Sequence, residues 1–370
     1  MTNDEGCGEG RASPISPMAP PLRMEHSQRD ASALLGEAGV LAVLGAGPGL
    51  PSPVESDDGR DPRGFDLGLV PLHDRAQPWR QVLRVAGQVS ASVVDGLPVA
   101  TDGDYLFTSL AITENATLAE ASRATYERLL RLVQGLGFPH LLRIWNYLPE
   151  INQGAGDTER YRQFCLGRHE AFQRVGRAPD YPAASALGLH GAAGRVAVLA
   201  SRHAAVAIEN PAQVSAFRYP RQYGPASPSF SRASLLRTQA GDLLFVSGTA
   251  AITGHVSMHV GDVQAQLRAS LANIEIVVAA ALGVEQLFHA TRGEAGGPNA
   301  QRSIAPDAQL RIYLRSPSDL PAVRAAFADC VHLPCSVEWL QADVCRRELL
   351  VEVEAALSWP RKVMPAARHE

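Results

Sequence analysis

Two stretches of the chain share one pattern of apolar and polar positions. Each opens with a turn and a short apolar run, Gly103–Ser109 (GDYLFTS) and Gly241–Ser247 (GDLLFVS), which predicts a strand. A longer segment with helical spacing of its apolar residues follows each run, Thr117–Gly137 and Asp262–Gly283. Both segments begin at a capping residue and end at a glycine, as helices commonly do.

The pattern continues in the same way after each helix. The letters LRI open a second strand at Leu142 and at Leu310, and a second helical segment follows, Glu159–Phe172 and Asp319–Cys330. The halves end in predicted strands, GRVAVLAS and AAVAIENP in the first, SVEWLQADV and LLVEVEAAL in the second. A repeat of about 140 residues indicates a duplicated domain. We predict an α/β (α+β) fold of two tandem domains, with mixed sheets and helices packed on one face.

Composition along the chain sets the expected boundaries. Residues 1–30 are rich in Pro, Ser, Gly and Met without a period, which predicts a flexible tail. The N-terminal domain then covers residues 31–212 and the C-terminal domain residues 213–370, with the Pro-rich segment 216–236 near the division. The second repeat has an additional loop, Thr291–Gln309, which is either exposed filler or a lid.

Composition also excludes several classes of protein. With 370 residues, of which 46% are apolar, the chain can form two cores and is not wholly disordered. A net charge of −4 argues against nucleic acid as the main partner. Five scattered cysteines without a Cys-x-x-Cys pair predict a reducing, cytoplasmic environment. The apolar stretch Gly39–Pro51 is too short to span a membrane, and we expect no signal peptide and no membrane segment.

The last predicted strand contains the candidates for acid–base chemistry. Strand alternation puts Glu352 and Glu354 on one face. That face is either a solvated acidic surface or part of a cleft, where a desolvated carboxyl group could act as a general acid. Cys345 lies in the polar segment CRRE, which we expect to turn between two antiparallel strands and bring Cys345 beside Glu352. Otherwise Cys345 is a small apolar filler.

Candidate anion-binding residues lie elsewhere. The segment Ala216–Leu236 combines aromatic residues and prolines with arginine, and it includes Tyr219 and Arg232. It forms either an inter-domain linker or the wall of a pocket for a planar anion, since a guanidinium donates two parallel hydrogen bonds to a carboxylate. Arg315, at the end of the LRIYLR strand, is another candidate or a solvated strand-end charge. The sequence contains no phosphate-loop, nucleotide-cofactor or metal-ligand motif.

The second repeat resembles the YjgF/RidA family of small α/β domains. The resemblance lies in GDLLFVSGTAAI, the helix with Gln266 and Asn273, the strand LRIYLR and the ending LLVEVEAAL, and the first repeat resembles a degenerate copy. From about Gly103 to Leu357 the chain also resembles the chorismatase family, which includes bacterial 3-hydroxybenzoate synthases. The motifs of this second resemblance are RIWNYLPEIN, YRQFCLGRHEAF, ASALGLHG, IENPAQVSAFRYP, YGPASPSFSRA, the pair Gly254-His255 and LLVEVEA.

The chorismatase resemblance implies a substrate and a set of roles. Members of the family remove the pyruvyl group of chorismate without a metal or organic cofactor, so we expect none here. Glu352 matches the family's catalytic glutamate, which protonates the methylene carbon of the enol ether and must be kept protonated by burial. Tyr219, Arg232 and Arg315 match its anion-binding residues, which would hold the two carboxylates of chorismate.

Two further positions separate the branches of the family. These positions are Gly248 and Cys345 in this chain. The hydrolases, which release a dihydrodiol, resemble one another in having alanine at both positions. The 3-hydroxybenzoate synthases have Gly and Cys there, as this chain does. The resemblance thus implies 3-hydroxybenzoate and pyruvate, formed through an arene oxide, with Gly248 leaving room and Cys345 assisting proton movement. The alternatives are hydrolysis to the dihydrodiol, mixed 3- and 4-hydroxybenzoate, or a non-catalytic YjgF-like ligand-binding protein. The RidA likeness implies a monomer or a homotrimer.

Overall fold

The structure is a computed structural model that describes residues 18–52, 61–72, 78–115, 117–190, 193–289 and 306–361. Most of the predicted tail and residues 291–305 of the predicted loop lie outside these ranges. The cysteines within the described part of the chain, Cys165, Cys330, Cys335 and Cys345, are all free thiols.

The N-terminal region forms a small sheet that the sequence analysis did not predict. Its elements are β1 (Leu22–Ser27), α1 (Ala31–Leu35), β2 (Val40–Gly45), β3 (Gly64–Asp66), β4 (Val70–Pro71) and β5 (Arg80–Val85). Four of these strands pair in the order β1-β5-β2-β3. The expectation of a flexible tail as far as residue 30 does not hold for β1, which pairs along its whole length with β5.

The first repeat builds a six-stranded sheet with two helices. Its elements are β6 (Ser90–Val94), β7 (Leu97–Thr101), β8 (Tyr105–Ile112), α2 (Leu118–Gly135), β9 (His140–Pro149), α3 (Arg160–Arg174), β10 (Ala183–Leu189) and β11 (Gly194–Ser201). The Thr117 side chain accepts a hydrogen bond from the Glu120 backbone N–H, and the Glu120 carboxylate accepts one from the Thr117 N–H. This reciprocal capping box starts α2 where the sequence predicted it.

The second repeat builds a seven-stranded sheet, also with two helices. Its elements are β12 (Val206–Ile208), β13 (Ala233–Arg237), β14 (Gly241–Thr249), β15 (Ile252–Thr253), β16 (Val256–Ser257), α4 (Val263–Leu282), β17 (Asp307–Leu314), α5 (Leu320–Cys330), β18 (Cys335–Gln341) and β19 (Val351–Pro360). Asp262 caps α4 by accepting a hydrogen bond from the Ala265 N–H, and Gly283 ends the helix in a left-handed conformation, both as predicted.

The two large sheets share one strand order, which confirms the duplication. The first runs β10-β9-β11-β8-β7-β6, and the second runs β18-β17-β19-β14-β13-β12 with β4 added at the β18 edge. In each sheet the first pair is parallel and the next pair antiparallel.

The predicted division of the chain at residue 212 needs one correction. The AAVAIENP segment, assigned to the first repeat, contributes β12, which pairs with β13 in the second sheet. The first sheet instead contains β10, from the ASALGLHG motif, as the strand that the AAVAIENP segment was expected to supply. The second sheet therefore begins before residue 212.

The three main sheets enclose a shared core. Apolar residues of their inner faces, among them Leu83, Tyr147 and Phe245, form one cluster. Separate clusters join α2 and α3 to the outer face of the first sheet, and α4 and α5 to that of the second. The helices thus pack on one face of each large sheet, as predicted. Strand β10 of the first repeat also lies against β14 of the second, where the Ala184 N–H donates to Ser247 Oγ at 2.9 Å.

Helix α4 is the one helix in the described ranges that is long and apolar enough to cross a membrane, judged by length and composition alone. Its buried residues, which include Leu267, Leu271 and Ile274, pack in the core of the second repeat.

Candidate active site

A cavity of about 460 Å³, here called the outer cavity, lies between the two repeats. Its walls come from α3 of the first repeat and, in the second, from residues 213–232, β14, β19 and the segment that joins β18 to β19. A smaller space of about 30 Å³, the inner chamber, adjoins it. The residues that line both are Tyr161, Pro228, Phe230, Gly248, Cys345 and Glu352.

Glu352 lies on β19, opposite Tyr313 of β17, and is only 4% exposed. Burial is the main reason that the pKa of Glu352 is raised to about 8, and the charge of Glu354 acts in the same direction. The positive charges of Arg143 and Arg232 oppose that rise. The interpretation of this strand as a solvated acidic face is therefore wrong. At neutral pH the Glu352 carboxyl group is mostly protonated and can donate a proton.

Glu354, two residues further along β19, is also buried but is ionised. Its carboxylate accepts hydrogen bonds from Arg143 Nη2 at 2.6 Å, Ser185 Oγ at 2.7 Å and Arg311 Nη1 at 3.2 Å. Burial alone would raise the pKa of Glu354, but the two guanidinium groups and these hydrogen bonds lower it overall. The two carboxyl groups thus differ in protonation, which leaves one of them available as an acid.

Gly248 on β14 faces the Glu352 carboxyl group. A β-carbon at this position would overlap Glu352 Oε1 and would lie 2.9 Å from Glu352 Cδ and 3.1 Å from Ser185 Oγ. The Gly248 N–H also donates to Ser185 Oγ at 3.0 Å, which ties β14 to β10 of the first repeat. Any larger residue at position 248 would therefore displace the acid.

Cys345 and Glu352 line the same cavity, as predicted, but not through a hairpin. Strand β17 lies between β18 and β19 in the sheet, so the segment between β18 and β19 passes over the end of β17. Burial raises the pKa of the Cys345 thiol to about 12, and the nearby Glu352 contributes. At neutral pH Cys345 is therefore a neutral thiol and not a thiolate. It can donate a hydrogen bond or relay a proton.

Arg232 and Tyr219 meet in the outer cavity, as predicted. Arg232 Nη2 donates to the Tyr219 hydroxyl at 2.9 Å and to the Val214 carbonyl at 3.0 Å. The guanidinium also packs over the Phe230 ring, 5.2 Å from its centroid. Arg232 Nε is buried without a hydrogen-bond partner in the described part of the chain, so the contacts found there leave this donor unused.

Arg315 does not reach the cavity, which corrects the position expected for it. Its guanidinium donates to the side chains of Asn152 and Asp343 and to the carbonyl groups of Val344, Arg346 and Leu349. These bonds use every N–H group of the guanidinium within the protein. Arg315 instead fixes the segment that carries Cys345.

Arg346 is a cavity cation that the sequence analysis missed. Its guanidinium carbon lies 4.0 Å from the centroid of the Tyr223 ring and 5.3 Å from that of Tyr219. Arg346 Nη1 donates to the His255 carbonyl at 2.9 Å and to Ser257 Oγ at 3.0 Å. Because the CRRE segment was taken as a polar turn, nothing in the pattern distinguished this arginine from an exposed one.

Two polar side chains of helix α4 position this wall of the cavity. The buried Gln266 side chain donates to the Glu348 carbonyl at 2.9 Å and accepts from the Leu350 N–H at 2.7 Å. Asn273 donates to the carbonyls of Ala250 and Ile252 at 3.1 and 3.0 Å. Their presence in the family resemblance was the only signal for them.

Helix α3 of the first repeat contributes Tyr161, Cys165 and Arg168 to the inner chamber. Burial raises the pKa of the Tyr161 hydroxyl well above its usual range and that of the Cys165 thiol to about 12. The motif YRQFCLGRHEAF contains all three residues, but the sequence offered it only as a family likeness. Within the described ranges, no cluster of three or more His, Cys, Asp or Glu side chains could hold a metal ion.

Known proteins resemble this chain over most of its length. The family model described as "Chorismatase FkbO/Hyg5-like, N-terminal" matches residues 81–200. A 3-hydroxybenzoate synthase of Streptomyces hygroscopicus is 35% identical over 79% of this chain and 85% of its own. A chorismatase of the same species is 34% identical over 97% and 100%. A chorismatase crystal structure, 31% identical, covers 92% of this chain and 100% of its own, with a TM-score of 0.76. The chain therefore belongs to the chorismatase family.

Proposed function

We propose that this protein cleaves chorismate and releases pyruvate. Chorismate has a ring carboxylate, a ring hydroxyl and an enolpyruvyl ether that bears a second carboxylate. The observation that carries the proposal is a buried, protonated Glu352 in a cavity that also contains Arg232 and Arg346. Relatives named chorismatase and 3-hydroxybenzoate synthase support the same substrate.

Glu352 is the general acid in this proposal. It donates its proton to the methylene carbon of the enol ether, which leaves an oxocarbenium ion shared by the adjacent carbon and the ether oxygen. Arg232, Tyr219 and Arg346 bind a carboxylate of the substrate and hold the ether against the acid. Since proton donation of this kind contributes about 10²- to 10⁴-fold to a rate, the buried carboxyl group is the principal catalytic element.

The proposed products are 3-hydroxybenzoate and pyruvate. The neighbouring ring hydroxyl gives its proton to the now ionised Glu352 and attacks the ring carbon that bears the ether oxygen. The bond between this ring carbon and the ether oxygen breaks, and its electron pair stays on the oxygen, which completes the pyruvate carbonyl. The arene oxide then opens by breaking its bond to the carbon that carried the hydroxyl, so the oxygen stays on the carbon that carried the ether. That carbon loses its proton, the phenol oxygen gains one, and the ring becomes aromatic, so all atoms of chorismate appear in the two products. Gly248 leaves space for the acid, and the neutral thiol of Cys345 relays protons.

The test is to incubate the purified protein with chorismate, without added metal or cofactor, and to separate the products by liquid chromatography. We expect 3-hydroxybenzoate and pyruvate in equal amounts. Pyruvate with a non-aromatic dihydrodiol would retain the cleavage and contradict the displacement step. Unconsumed chorismate, with saturable binding only, would reject catalysis and favour a ligand-binding protein.

The variant Cys345→Ala tests the product assignment in the same assay. We expect pyruvate formation to continue while part of the aromatic product is replaced by dihydrodiol or 4-hydroxybenzoate. An unchanged product ratio would show that Cys345 does not direct the second half of the reaction.

A further inference from the structure

Arg168, near the middle of helix α3, is a buried cation without an evident counterion. The residue is 3% exposed, and its Nε and Nη2 groups have no hydrogen-bond partner among the described residues. Its guanidinium packs over the rings of Tyr126 and Phe172, at 5.1 and 5.6 Å from their centroids. Stacking on rings leaves the N–H donors unsatisfied, and a buried guanidinium in that state is strongly unfavourable unless an acceptor fills the adjoining space.

The adjoining space is the inner chamber, which Arg168 lines together with Glu352 and Cys345. Its volume of about 30 Å³ is enough for a carboxylate group or for one or two water molecules. A six-membered ring does not fit there but does fit in the outer cavity of about 460 Å³. A ligand that occupies both spaces therefore places its ring outside and a small anionic group inside.

We propose that Arg168 binds the enolpyruvyl carboxylate of the substrate in the inner chamber, an inference that rests on the proposed cleavage of chorismate. This carboxylate is attached to the carbon next to the methylene group that Glu352 protonates, and Glu352 lines both spaces. The ring carboxylate lies across the ring and stays in the outer cavity with Arg232 and Arg346. The dicarboxylate is then held at both ends, with the acid between them.

This assignment gives the buried charge of Arg168 a partner. It also supplies an anion-binding residue in place of Arg315. The family resemblance implied three anion-binding residues, but the hydrogen bonds of Arg315 are all made within the protein. Arg168 has donors that are still unused, and its position on α3 means that the first repeat supplies one end of the clamp.

The experiment compares the wild type with Arg168→Met and Arg168→Lys. The matched control is Arg174→Met, an arginine of the same helix whose side chain is 56% exposed. Chorismate kinetics are measured with pyruvate and with 3-hydroxybenzoate as product inhibitors. For Arg168→Met we expect kcat/KM to fall by about 100-fold or more, because a charged hydrogen-bonded pair with the substrate is lost. Inhibition by pyruvate should weaken at least tenfold while inhibition by 3-hydroxybenzoate is retained.

The lysine variant should be intermediate, since it keeps the charge but loses the two-pronged geometry. Arg174→Met should behave as the wild type. Thermal unfolding separates binding from a structural role: without ligand, Arg168→Met should unfold at the same temperature as the wild type or higher, since an unpartnered buried charge has been removed.

Two results would overturn the inference. One is a lower unfolding temperature in Arg168→Met with KM and pyruvate inhibition unchanged, which would make Arg168 structural. The other is loss of 3-hydroxybenzoate inhibition instead of pyruvate inhibition, which would place the ring carboxylate at Arg168. If the wild type leaves chorismate intact, the proposed function fails separately. Calorimetric titration of pyruvate into wild type and Arg168→Met then decides whether the chamber binds a carboxylate.

Discussion

The two repeats share a strand order but differ in what their last strands carry. In the second sheet, Tyr313 and Arg311 of β17 stand opposite Glu352 and Glu354 of β19. In the first sheet, the corresponding residues of β9 stand opposite Ala197 and Leu199 of β11, both fully buried in the apolar core. Identical topology therefore accommodates either a packed apolar core or a pair of buried carboxyl groups, depending on a few side chains.

A second difference concerns the residue that follows the repeated motif. The repeated motif continues as Leu110 in the first copy and as Gly248 in the second. Leu110 is 2% exposed and packs with the helices of its own repeat. At Gly248 the missing side chain is the space that Glu352 occupies. Leu110 thus packs on the helix side of its sheet, whereas Gly248, within a register shift between Val246 and Thr249, adjoins Glu352 on the inner face.

The first repeat still contributes to the site, though not with an acid. Its α3 forms one wall of both spaces, and its Ser185 and Arg143 hold Glu354 of the second repeat in place. The site is therefore shared: one copy provides the acid, and the other provides the groups that orient and balance the charges around it.

The largest expected effect comes from removing the acid of the second repeat. Glu352→Gln should lower kcat for pyruvate release by about 10³-fold, since the amide cannot donate a proton. In the wild type, kcat/KM should fall as pH rises through about 8, where Glu352 loses its proton. The matched control is Glu170→Gln on α3, whose side chain is 42% exposed. Activity within tenfold of the wild type for Glu352→Gln would contradict the assignment.

The next effect comes from filling the space at Gly248. Gly248→Ala should lower kcat by about 10²-fold and alter the product ratio, because the new methyl group displaces the Glu352 carboxyl group by about 1 Å or more. Gly135→Ala in α2 is the control, since no atom lies within 4 Å of the added group. Wild-type kinetics in Gly248→Ala would show that the acid tolerates displacement and that the position does not require glycine.

The smallest effect tests whether the first repeat tunes the acid of the second. Glu354→Gln removes a negative neighbour of Glu352, so the alkaline limb of the pH–rate profile should move down by about one pH unit. Arg143→Gln removes a positive neighbour and should move it up. Tyr161, Cys345 and Arg232, which face Glu352 from the other elements, are unchanged in both variants.

The double variant Arg143→Gln/Glu354→Gln serves as the control for this comparison. Each single change leaves buried charge without its partner and should destabilise the fold by about 3–5 kcal/mol, whereas the double change removes both members of the pair. Its alkaline limb should lie between those of the single variants. Shifts in the same direction for both single variants would mean that packing, and not charge, sets the proton affinity of Glu352.

The sequence predicted the features that depend on neighbours close in the chain. The capping box at Thr117, the caps of α4 and the repeated order of strands and helices were all confirmed, since local hydrogen bonds and periodicity decide them. The N-terminal sheet was missed because its strands pair across long intervals. Its central strand β2 is a short, wholly buried apolar run that has no alternation to reveal it.

For the site, the sequence and its family resemblance were enough to select Glu352, Gly248 and Cys345, and the structure places all three around one cavity. Their catalytic roles stay predictions. Whether Glu352 and Glu354 are solvated or buried could not be predicted, because strand alternation gives the face of a residue but not what covers that face. The cover comes from β10 and α3 of the other repeat, far away in sequence.

By itself, then, the sequence determined the duplicated fold, the family and the strand that carries the acid. Only the tertiary structure decided which arginines line the two cavities. Arg315 makes all its hydrogen bonds within the protein, whereas Arg346 lines the outer cavity and Arg168 the inner chamber. The physical reason is that a guanidinium can bind a ligand only through donors that the folded chain does not already use, and the acceptors that use them come from distant segments.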